Sequence, residues 1–572
     1  MNALLLALLS AAAFLAANRF YGGWIRRVLL EVDETELTPA VRLNDGVDFV
    51  PTRRAVVFGH HFASIAGLGP ILGPAIAVIW GWVPAVLWIV FGTILIGGVQ
   101  DFSALVLSLR NDGRSVGDIA GEILGRRARI LFLVIIYFLM SLAMGVFALV
   151  IATLFTAAPD AGLHPESHPE AVLPVAILLA IAVLMGLALY RWKLPFGPVT
   201  LAGVALSFLG VLWGQAHPVT GVVRETWIFV LLGYAFVASV LPVWLLLQPR
   251  DYLNSFQLYA GMLLMFLGLA VSRPEVVAPA INHAPTDLPP IFPFLFITVA
   301  CGAVSGFHSL VSSGTTAKQI AHARDAQTLG YGAMATEGML AILAVLACTA
   351  GLSSSAEWHA HYTGWQAAGG LGPKVGAFIT GAATFVHSLG IPMATATAFT
   401  AVVVVSFALT TLDSATRLLR YNIQELARAA GLPPGLSNRY LASLVAVASI
   451  AFFALLRIGG KPAGIVLWEL FGTTNQLLAA LALLTVLVWL VRRRRPALPV
   501  ALPMIFMFVM TLAGMTIKIR HFYAQEAWLV FGFGLGLGVL AVWLAIEGVL
   551  ALRRASSSAG RPGEAALPSP PR

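Results

Sequence analysis

The stretch Phe58-Gly-His-His-Phe-Ala-Ser-Ile-Ala-Gly-Leu-Gly-Pro-Ile-Leu-Gly-Pro74 places four glycines and two prolines within one apolar run. Each proline removes a backbone hydrogen bond, and each glycine loosens a helical turn. At membrane depth, backbone groups freed in this way are tolerated only where they line a cavity or are buried in protein. The stretch therefore favours a membrane helix that unwinds to form a binding segment. The alternative is a close-packed face of small residues, of the Gly-x-x-x-Gly kind.

The composition of the whole chain supports a membrane setting. Of its 572 residues, 59% are hydrophobic and only 11% are charged, whereas a soluble protein carries about 25% charged residues. The net charge of +9 would suggest a nucleic-acid partner in a soluble chain, but in a membrane protein arginine marks cytoplasmic loops. Both cysteines fall inside apolar runs, so no disulfide framework, metal site or cofactor is expected.

Helix-length apolar segments recur along the chain and predict an all-α polytopic membrane protein with about fifteen transmembrane helices. Lysine and arginine recur in every second connection, for example at Arg26, Arg110 and Arg250. This alternation predicts an outside N-terminus and a cytoplasmic C-terminus. The first segment lacks a positively charged start and is interpreted as a retained helix, with a signal peptide as the alternative. The long run over 373–411 is expected to break at Leu389-Gly390-Ile391-Pro392, either as a broken helix or as a re-entrant half-helix that leads into a full one.

A second interrupted span, over 301–316, is again rich in glycine and hydroxyl residues and is predicted to cross in the opposite direction to the first. Such a pair indicates an inverted-repeat transporter with its site near the bilayer midplane, and the spacing fits a five-plus-five or a seven-plus-seven repeat. The expected organisation is an N-terminal helix and cytoplasmic linker over 1–53, a first transmembrane repeat over 54–290, a second repeat with the C-terminal helices over 291–552, and a disordered tail over 553–572.

The two interrupted segments supply the candidate substrate-binding residues, because half-helix N-termini stabilise a substrate carboxylate. The candidates are His60, His61, Ser64, Gly67 and Gly69 in the first segment and Gly306, His308, Ser309, Ser312, Ser313, Gly314 and Thr315 in the second. Zinc is not favoured, since adjacent histidines point about 100° apart on a helix and a two-histidine zinc face needs i, i+4 spacing. A histidine that faces a cavity can bind an anion or relay protons, and a helix-start histidine satisfied by backbone is the alternative.

Carboxylates within a membrane are costly, so each one is a candidate for function. The candidate ion-coupling residues are Asp101, Thr410, Thr411, Asp413 and Ser414, and the candidate gating residues are Asn475 and Gln476. The alternative for Asp413 is an ion pair with Arg417, four residues later on the same helix. Glu337 and Glu469 lie nearer predicted helix ends, where they can meet water. The hydroxyls, combined with exposed backbone carbonyls, allow a sodium site, so proton and sodium coupling both stay open.

Five blocks of the sequence, in order, resemble the carbon starvation protein A family. They are Gly59-His-His-Phe-Ala-Ser-Ile-Ala-Gly67 with Gly69-Pro70 and Gly73-Pro74, Gln100-Asp-Phe-Ser-Ala104 with Arg110-Asn-Asp-Gly-Arg-Ser-Val-Gly-Asp118, Gly306-Phe-His-Ser-Leu-Val-Ser-Ser-Gly-Thr-Thr-Ala-Lys-Gln-Ile320, Leu409-Thr-Thr-Leu-Asp-Ser-Ala-Thr-Arg-Leu418, and Trp468-Glu-Leu-Phe-Gly-Thr-Thr-Asn-Gln476. The resemblance implies a bacterial inner-membrane permease related to the amino acid/polyamine/organocation superfamily, which takes up peptides or pyruvate during carbon starvation with proton coupling. Glu469 departs from the family pattern in the last block.

These observations predict a secondary active transporter that imports a small carboxylate-bearing nutrient, either a peptide or pyruvate, by alternating access. The expected partners are the substrate, H+ or Na+, and the lipid bilayer. The sequence contains no catalytic serine elbow, zinc-binding histidine pair or phosphate-cradling loop, so an enzyme is not expected. The alternatives are a sodium-coupled carrier, a channel for small nutrients, and a membrane-embedded nutrient sensor.

Overall fold

The computed structural model describes residues 1–156, 167–285, 287–365 and 371–558. Within these residues, 11 helices are long and apolar enough to cross a membrane, and one bent pair of helices raises the number to 12. The expected class, an all-α polytopic membrane protein, is confirmed. The expected number of about fifteen crossings is not confirmed, because several predicted segments form shorter helices. Among them are Ile291–Thr298, with 8 residues, and Arg439–Leu455, with 17 residues.

The helices are numbered in chain order. The first twelve are α1 (Ala3–Ala17), α2 (Pro39–Arg42), α3 (Arg54–Ile65), α4 (Gly69–Ala77), α5 (Trp82–Gly92), α6 (Gly98–Leu109), α7 (Val116–Ile123), α8 (Arg126–Phe155), α9 (Val172–Gly186), α10 (Phe196–Ala216), α11 (Arg224–Val240) and α12 (Leu247–Ser272). The remaining helices are α13 (Ile291–Thr298), α14 (Gly306–Gly314), α15 (Ala333–Ala350), α16 (Ser355–His361), α17 (Leu371–His387), α18 (Met393–Ala430), α19 (Arg439–Leu455), α20 (Ala463–Arg492), α21 (Leu498–Ala524) and α22 (Trp528–Ser558). Two short strands, β1 (Arg457–Ile458) and β2 (Lys461–Pro462), pair antiparallel between α19 and α20.

The crossings divide into inner and outer helices. The apolar stretches of α20 and α15 are 94% and 89% buried, whereas those of α10 and α22 are only 22% and 28% buried. The outer helices expose large leucine, valine and tryptophan side chains, as expected of helices that face lipid. α3 packs against α15, and α14 packs against α20. The predicted binding segments therefore lie inside the bundle.

The first interrupted segment is a bent pair of helices, α3 and α4, whose axes differ by 44° around residues 66–68. Pro70 lies in the first turn of α4, where its missing N–H costs no helical hydrogen bond. Gly67 is required for packing, because a Cβ there would overlap the Thr411 side chain on α18. The predicted unwinding of this segment is therefore present, and it brings the segment against α18.

The second interruption, over 299–305, separates α13 from α14 and lies directly against the first. A Cβ on Gly69 would overlap Cys301, and a Cβ on Gly73 would lie 2.7 Å from the carbonyl oxygen of Thr298. From Gly69 to Gly73 the residue numbers rise along α4, whereas those of the segment it contacts fall from Cys301 to Thr298. The two spans are therefore antiparallel, as an inverted repeat predicts. The extent of each repeat stays a prediction.

Two further expectations concern chain breaks. The predicted break near Gly390 is present, because α17 ends at His387 and α18 begins at Met393. At the C-terminal end, α22 continues to Ser558, so the first residues of the expected tail are helical. The rest of that tail, 559–572, lies outside the described residues.

Gly73→Ala should destabilise the contact between the two broken spans. The new Cβ would lie 2.7 Å from the Thr298 carbonyl oxygen and 3.3 Å from the Val299 Cα, and neither backbone atom can rotate away. Overpacking of this kind costs about 1–3 kcal/mol, so the Tm of the detergent-solubilised protein should fall. Gly233→Ala on α11 is the control, because a Cβ there meets nothing within 4 Å. Equal Tm values for the two variants would contradict the contact.

Candidate functional site

Three ionisable side chains from different helices meet at the second interruption. His308 lies in the first turn of α14, Asp101 lies in α6 and Glu337 lies in α15. The His308 Nδ1 is 3.2 Å from Asp101 Oδ2, and its Nε2 is 3.3 Å from Glu337 Oε2. All three side chains are fully buried. We call this group the histidine triad; it joins two of the predicted candidates to Glu337, which does not lie at a water-facing helix end.

The net charge of the histidine triad depends on how many protons its three side chains bind. Among the described residues, its ion pairs run only between its own three members. With a protonated imidazole and two ionised carboxylates the triad carries one net negative charge, and one further proton makes it neutral. A net charge is costly to bury away from water, so proton binding changes the energy of this position strongly. The triad therefore has the chemistry of a proton-binding site.

The interruption over 299–305 is held in place by neighbouring side chains. Three of its carbonyl oxygens accept hydrogen bonds from the α5–α6 crossing, in the pairs Trp88 Nε1 with Val299 (3.0 Å), Thr93 Oγ1 with Gly302 (3.1 Å) and Gln100 Nε2 with Ser305 (2.7 Å). The Glu337 carboxylate accepts from the Gly302 N–H at 3.1 Å. Buried backbone groups need such partners. The second interruption therefore offers fewer free backbone groups to a substrate than the sequence argument assumes.

Asn475 and Gln476, the candidate gating residues, hold the same interruption from α20. The Asn475 Oδ1 accepts from the Phe307 N–H at 3.0 Å, and the Gln476 Nε2 donates to the Phe296 carbonyl. The two amides thus bind the chain on both sides of the break. The side chain of the nearby Glu469 lies outside the described residues.

The hydroxyls of the second segment mostly serve its own backbone. Those that donate to a carbonyl three or four residues earlier are Ser309, Ser313 and Thr315, as buried hydroxyls on helices commonly do. Ser312 is fully buried, and its hydroxyl has no hydrogen-bond partner within the described ranges. Gly306 and Gly314 are packing positions, because Cβ atoms there would overlap α20 and α18. Of the side-chain candidates in this segment, Ser312 is therefore the one with a polar atom left for a ligand, because both ring nitrogens of His308 pair within the histidine triad.

A second buried charge cluster lies between α3, α12 and α18. The Arg250 guanidinium lies 2.5 Å from Asp251 Oδ1 and 2.6 Å from Asp413 Oδ1, and it also donates to the second Asp413 oxygen. The Asp251 carboxylate pairs with the His60 Nδ1, and the Tyr234 hydroxyl donates to Asp413. The four charged or titratable members are at most 1% exposed. We call Arg250, Asp251, Asp413 and His60 the arginine cluster.

The arginine cluster corrects two interpretations of the sequence. Arg250 does not mark a cytoplasmic loop, because it lies within α12 with 1% of its surface exposed. Asp413 does not pair with Arg417, which instead donates to Asp48 at 3.0 Å. Asp251 is missing from the sequence candidates, although an adjacent Arg-Asp pair at the start of a long apolar run is itself a signal of an internal ion pair.

The adjacent histidines serve different parts of the site. His60 faces Asp251, whereas the His61 Nδ1 lies 2.8 Å from the Thr316 hydroxyl, at the end of the α14 segment. This divergence follows from the angle of about 100° between neighbouring helical positions. The Nε2 atoms of both rings are buried without a hydrogen-bond partner in the described residues. Within those residues, no group of three or more His, Cys, Asp or Glu is placed to hold a metal ion.

The candidate sodium ligands of α18 face the unwound end of α3. The Thr410 hydroxyl donates to the Ala63 carbonyl at 3.2 Å, and the Thr411 hydroxyl donates to the Ser64 carbonyl at 3.4 Å. The hydroxyls of Ser64 and Ser414 are 3.3 Å apart. The predicted oxygen atoms are therefore brought together, but they already hydrogen-bond to one another across the α3–α18 contact.

Residues 46–52, which precede α3, form a strap across one end of the bundle. Its backbone is hydrogen-bonded to the segments that follow α11 and α14, in the pairs Val243 with Val47 (3.1 Å), Val50 with Lys318 (3.1 Å) and Thr52 with Gln319 (3.0 Å). The Asp48 side chain binds α18 through Arg417 at 3.0 Å, Arg420 at 3.3 Å and the Tyr421 hydroxyl at 2.5 Å. The strap therefore ties three crossings together.

Asp48→Asn should loosen the strap at every physiological pH. Burial raises the pKa of the Asp48 carboxyl, but Arg420, Arg417 and Lys318 outweigh it and hold that pKa at about 2. A lowered pKa stabilises the fold above the ordinary value of about 4, and this stabilisation is lost only as the pH falls towards 2. The Asp48 carboxylate should therefore stay ionised, and its contribution to stability constant, between about pH 5 and pH 8.

Loss of a charged hydrogen-bonding partner costs about 1.5–3 kcal/mol, so the Tm of Asp48→Asn should lie below that of the wild type. The difference between the two Tm values should be constant across this pH range. Asp112→Asn is the matched control, since its pair with Arg42 is solvent-exposed, with 57% of the Asp112 side chain accessible, and such pairs contribute about 0–1 kcal/mol. A Tm difference that varies between pH 5 and pH 8 would contradict the ionised state of Asp48.

A bundle of apolar crossings, with two antiparallel broken spans and two buried charge clusters at its centre, has the architecture of a multi-pass membrane transporter. The sequence matches the family model of the carbon starvation protein CstA over residues 2–361 and 351–514. The chain belongs to this family. The family was expected from five sequence blocks, and that expectation is confirmed.

The relatives are named as transporters and not as enzymes. The peptide transporter CstA of Escherichia coli (strain K12) is 34% identical over 581 residues, which cover 89% of this chain and 80% of that protein. The pyruvate/proton symporter BtsT of the same strain is 39% identical over 362 residues, covering 61% of this chain and 49% of that protein. The peptide transporter CstA of Bacillus subtilis (strain 168) is 31% identical over 592 residues, covering 96% of both chains.

Among solved structures, the crystal structure of the Eremococcus coleocola manganese transporter matches 91% of this chain and 100% of its own, with a TM-score of 0.46 and 13% sequence identity. MhsT in complex with L-phenylalanine matches 88% of this chain and 99% of its own, with a TM-score of 0.42 and 13% identity.

Proposed function

We propose that the protein is a proton-coupled importer of peptides or pyruvate. The observation on which this proposal depends most is the histidine triad, in which a buried imidazole lies between two buried carboxylates. Its net charge changes with each proton bound, so loading and unloading a proton can change the relative energies of the transport states. The substrates are suggested by the names of the two E. coli relatives, a peptide transporter and a pyruvate/proton symporter.

Protons are favoured over sodium by the arrangement around α18. The Arg250 guanidinium brings a permanent positive charge beside the candidate sodium ligands, with one nitrogen 3.4 Å from the Thr410 carbonyl oxygen. The same guanidinium pairs with Asp413, the carboxylate that would otherwise compensate a sodium ion. A second cation at this place would be repelled and would lack an anionic ligand.

The location proposed is the bacterial inner membrane, with the N-terminus outside and the C-terminus in the cytoplasm. Loops that the sequence assigns to the cytoplasm contact one another, since Arg42 lies 2.6 Å from Asp112 and Arg495 pairs with Glu31. These contacts support a common side for the arginine-rich connections. In this orientation the strap lies on the cytoplasmic side, and Asn475 and Gln476 act on the broken α13–α14 span as gating residues.

Transport into proteoliposomes tests the proposal. Radiolabelled pyruvate and a dipeptide are offered separately, with a pH gradient or a sodium gradient imposed at matched membrane potential. We expect accumulation above the external concentration with the inside-alkaline pH gradient and none with the sodium gradient alone. Accumulation with sodium alone would favour the sodium-coupled carrier. Equilibration without accumulation under either gradient would favour a channel, and the absence of any flux would favour a sensor.

A further inference from the structure

Two amide side chains on α12 are buried without hydrogen-bond partners. Asn254 and Gln257 are 0% and 1% exposed. Within the described residues, neither the nitrogen nor the oxygen of either amide makes a hydrogen bond. Native proteins rarely leave four such atoms unsatisfied, because each one loses its hydration without compensation. Neither amide belongs to the histidine triad or to the arginine cluster, so their burial needs a separate explanation.

The contacts of α12 show where these amides lie. Arg250, Asn254, Gln257 and Gly261 follow one another at spacings of four, three and four residues, which places them on one face of the helix. At one end of this face Arg250 binds Asp413 of α18. At the other end a Cβ on Gly261 would lie 3.8 Å from Phe399 and Val403 of α18. The amides between these two contacts therefore lie on the face of α12 that is directed at α18.

The facing side of α18 contributes a third unpartnered group. Phe399, Val403, Ser406, Thr410 and Asp413 share one face at spacings of four, three, four and three residues. Ser406 lies midway along this face. It is 2% exposed, and its hydroxyl has no hydrogen-bond partner in the described part of the chain. Five buried polar atoms without a hydrogen-bond partner in the described residues thus lie on the facing sides of α12 and α18, and we call Asn254, Gln257 and Ser406 the amide site.

The chemistry of the amide site selects its occupant. Each primary amide offers N–H donors and a carbonyl acceptor, so a ligand that satisfies both amides has to present donors as well as acceptors. Pyruvate at neutral pH has a carboxylate and a keto group, which only accept hydrogen bonds, and it would leave the Asn254 and Gln257 oxygens unpaired. A trans peptide unit directs its N–H and its carbonyl to opposite sides, so its N–H can donate to the oxygen of one amide while its carbonyl accepts from the nitrogen of the other.

We propose that the amide site binds the peptide unit of a transported peptide and thereby distinguishes peptides from pyruvate. This inference rests on the proposed function, since it names the substrate class that the transporter recognises at a particular place. The site begins about one helical turn from Arg250 along α12. The charge of Arg250 is already compensated by Asp251 and Asp413. The recognition is therefore by neutral hydrogen bonds rather than by an ion pair.

The test uses the apolar variants Asn254→Leu and Gln257→Met, which keep approximate side-chain volume and remove the amides. KM values for alanylalanine and for pyruvate are measured in proteoliposomes. We expect each variant to raise the KM for the dipeptide by about tenfold, the effect of one lost buried hydrogen bond whose partner stays unpaired, and to leave the KM for pyruvate within about twofold. Because unpaired polar atoms are removed, the Tm without substrate should stay equal to or rise above that of the wild type. Gln525→Met, an exposed position, is the control.

Three outcomes would overturn the amide site: an equal rise in KM for both substrates, an unchanged KM for the dipeptide, or a wild-type protein that transports pyruvate but no dipeptide. If the wild type transports neither substrate, the proposed function fails by itself. Whether the amide site binds a peptide is then tested by the rise in Tm that a bound ligand causes. A Tm that alanylalanine raises in the wild type and not in the variants supports the site, and a wild-type Tm that does not respond overturns it.

Discussion

Asp101→Asn should abolish the accumulation of substrate against its gradient while leaving substrate exchange across the membrane intact. Asparagine keeps the size of the side chain but cannot ionise. His308, protonated, then forms a neutral pair with Glu337, and no second proton is needed to neutralise the buried group. The pH gradient consequently loses its coupling to transport. For one proton per substrate, a gradient of one pH unit supports up to about tenfold accumulation, and this factor should fall to about one.

The measurement compares two assays on the same proteoliposomes. Uptake driven by a pH gradient reports coupling, and counterflow of labelled against unlabelled substrate reports a folded, moving carrier. Glu337→Gln should behave like Asp101→Asn, because it removes the other carboxylate of the histidine triad. Glu275→Gln changes an exposed carboxylate and should match the wild type in both assays. If Asp101→Asn accumulates substrate as the wild type does, the triad is not the coupling site.

The broken spans were predictable from the sequence because the cause of a break is local. Proline and glycine act on the hydrogen bonds of their own turn, and the strings around Pro70 and Gly390 therefore locate the interruptions correctly. The number of crossings was less predictable, since hydropathy gives the same signal for a full span and for two short helices around a break. The segment around Ile291–Thr298 shows this, because apolar residues continue into an interruption that is held by side chains from other helices.

The partners of charged residues were not predictable, because they come from distant parts of the chain. Asp101 and His308 are 207 residues apart (308 − 101) and meet only through the packing of α6 on α14. Arg250 shows the opposite error. A basic residue between two apolar runs is typical of a cytoplasmic loop, but Arg250 pairs with Asp251 and Asp413 inside the bundle. Asn254 and Gln257 were overlooked because isolated amides in an apolar run carry no sequence pattern.

Arg250→Met should cost a large part of the stability of the folded protein. The variant keeps the apolar length of the side chain but leaves Asp251 and Asp413 buried side by side without their shared cation. Removal of one partner from a buried ion pair costs about 3–5 kcal/mol, compared with a total of about 5–15 kcal/mol for typical domains. We expect a large fall in Tm and in the yield of monodisperse protein in detergent. Arg250→Lys should recover only part of the loss, because a single ammonium cannot reproduce the forked contacts of the guanidinium.

The double variant Arg250→Met with Asp413→Asn separates charge from packing. Asp413→Asn removes one of the two uncompensated charges, and the remaining Asp251 keeps its contact with His60. The double variant should therefore be more stable than Arg250→Met alone, and the two mutations should show an interaction free energy of about 1–3 kcal/mol. If the double variant is as unstable as the single one, then lost packing and not unbalanced charge explains the defect. The arginine cluster would in that case stabilise the α12–α18 contact by shape, and its ion pairs could be replaced by apolar residues without loss.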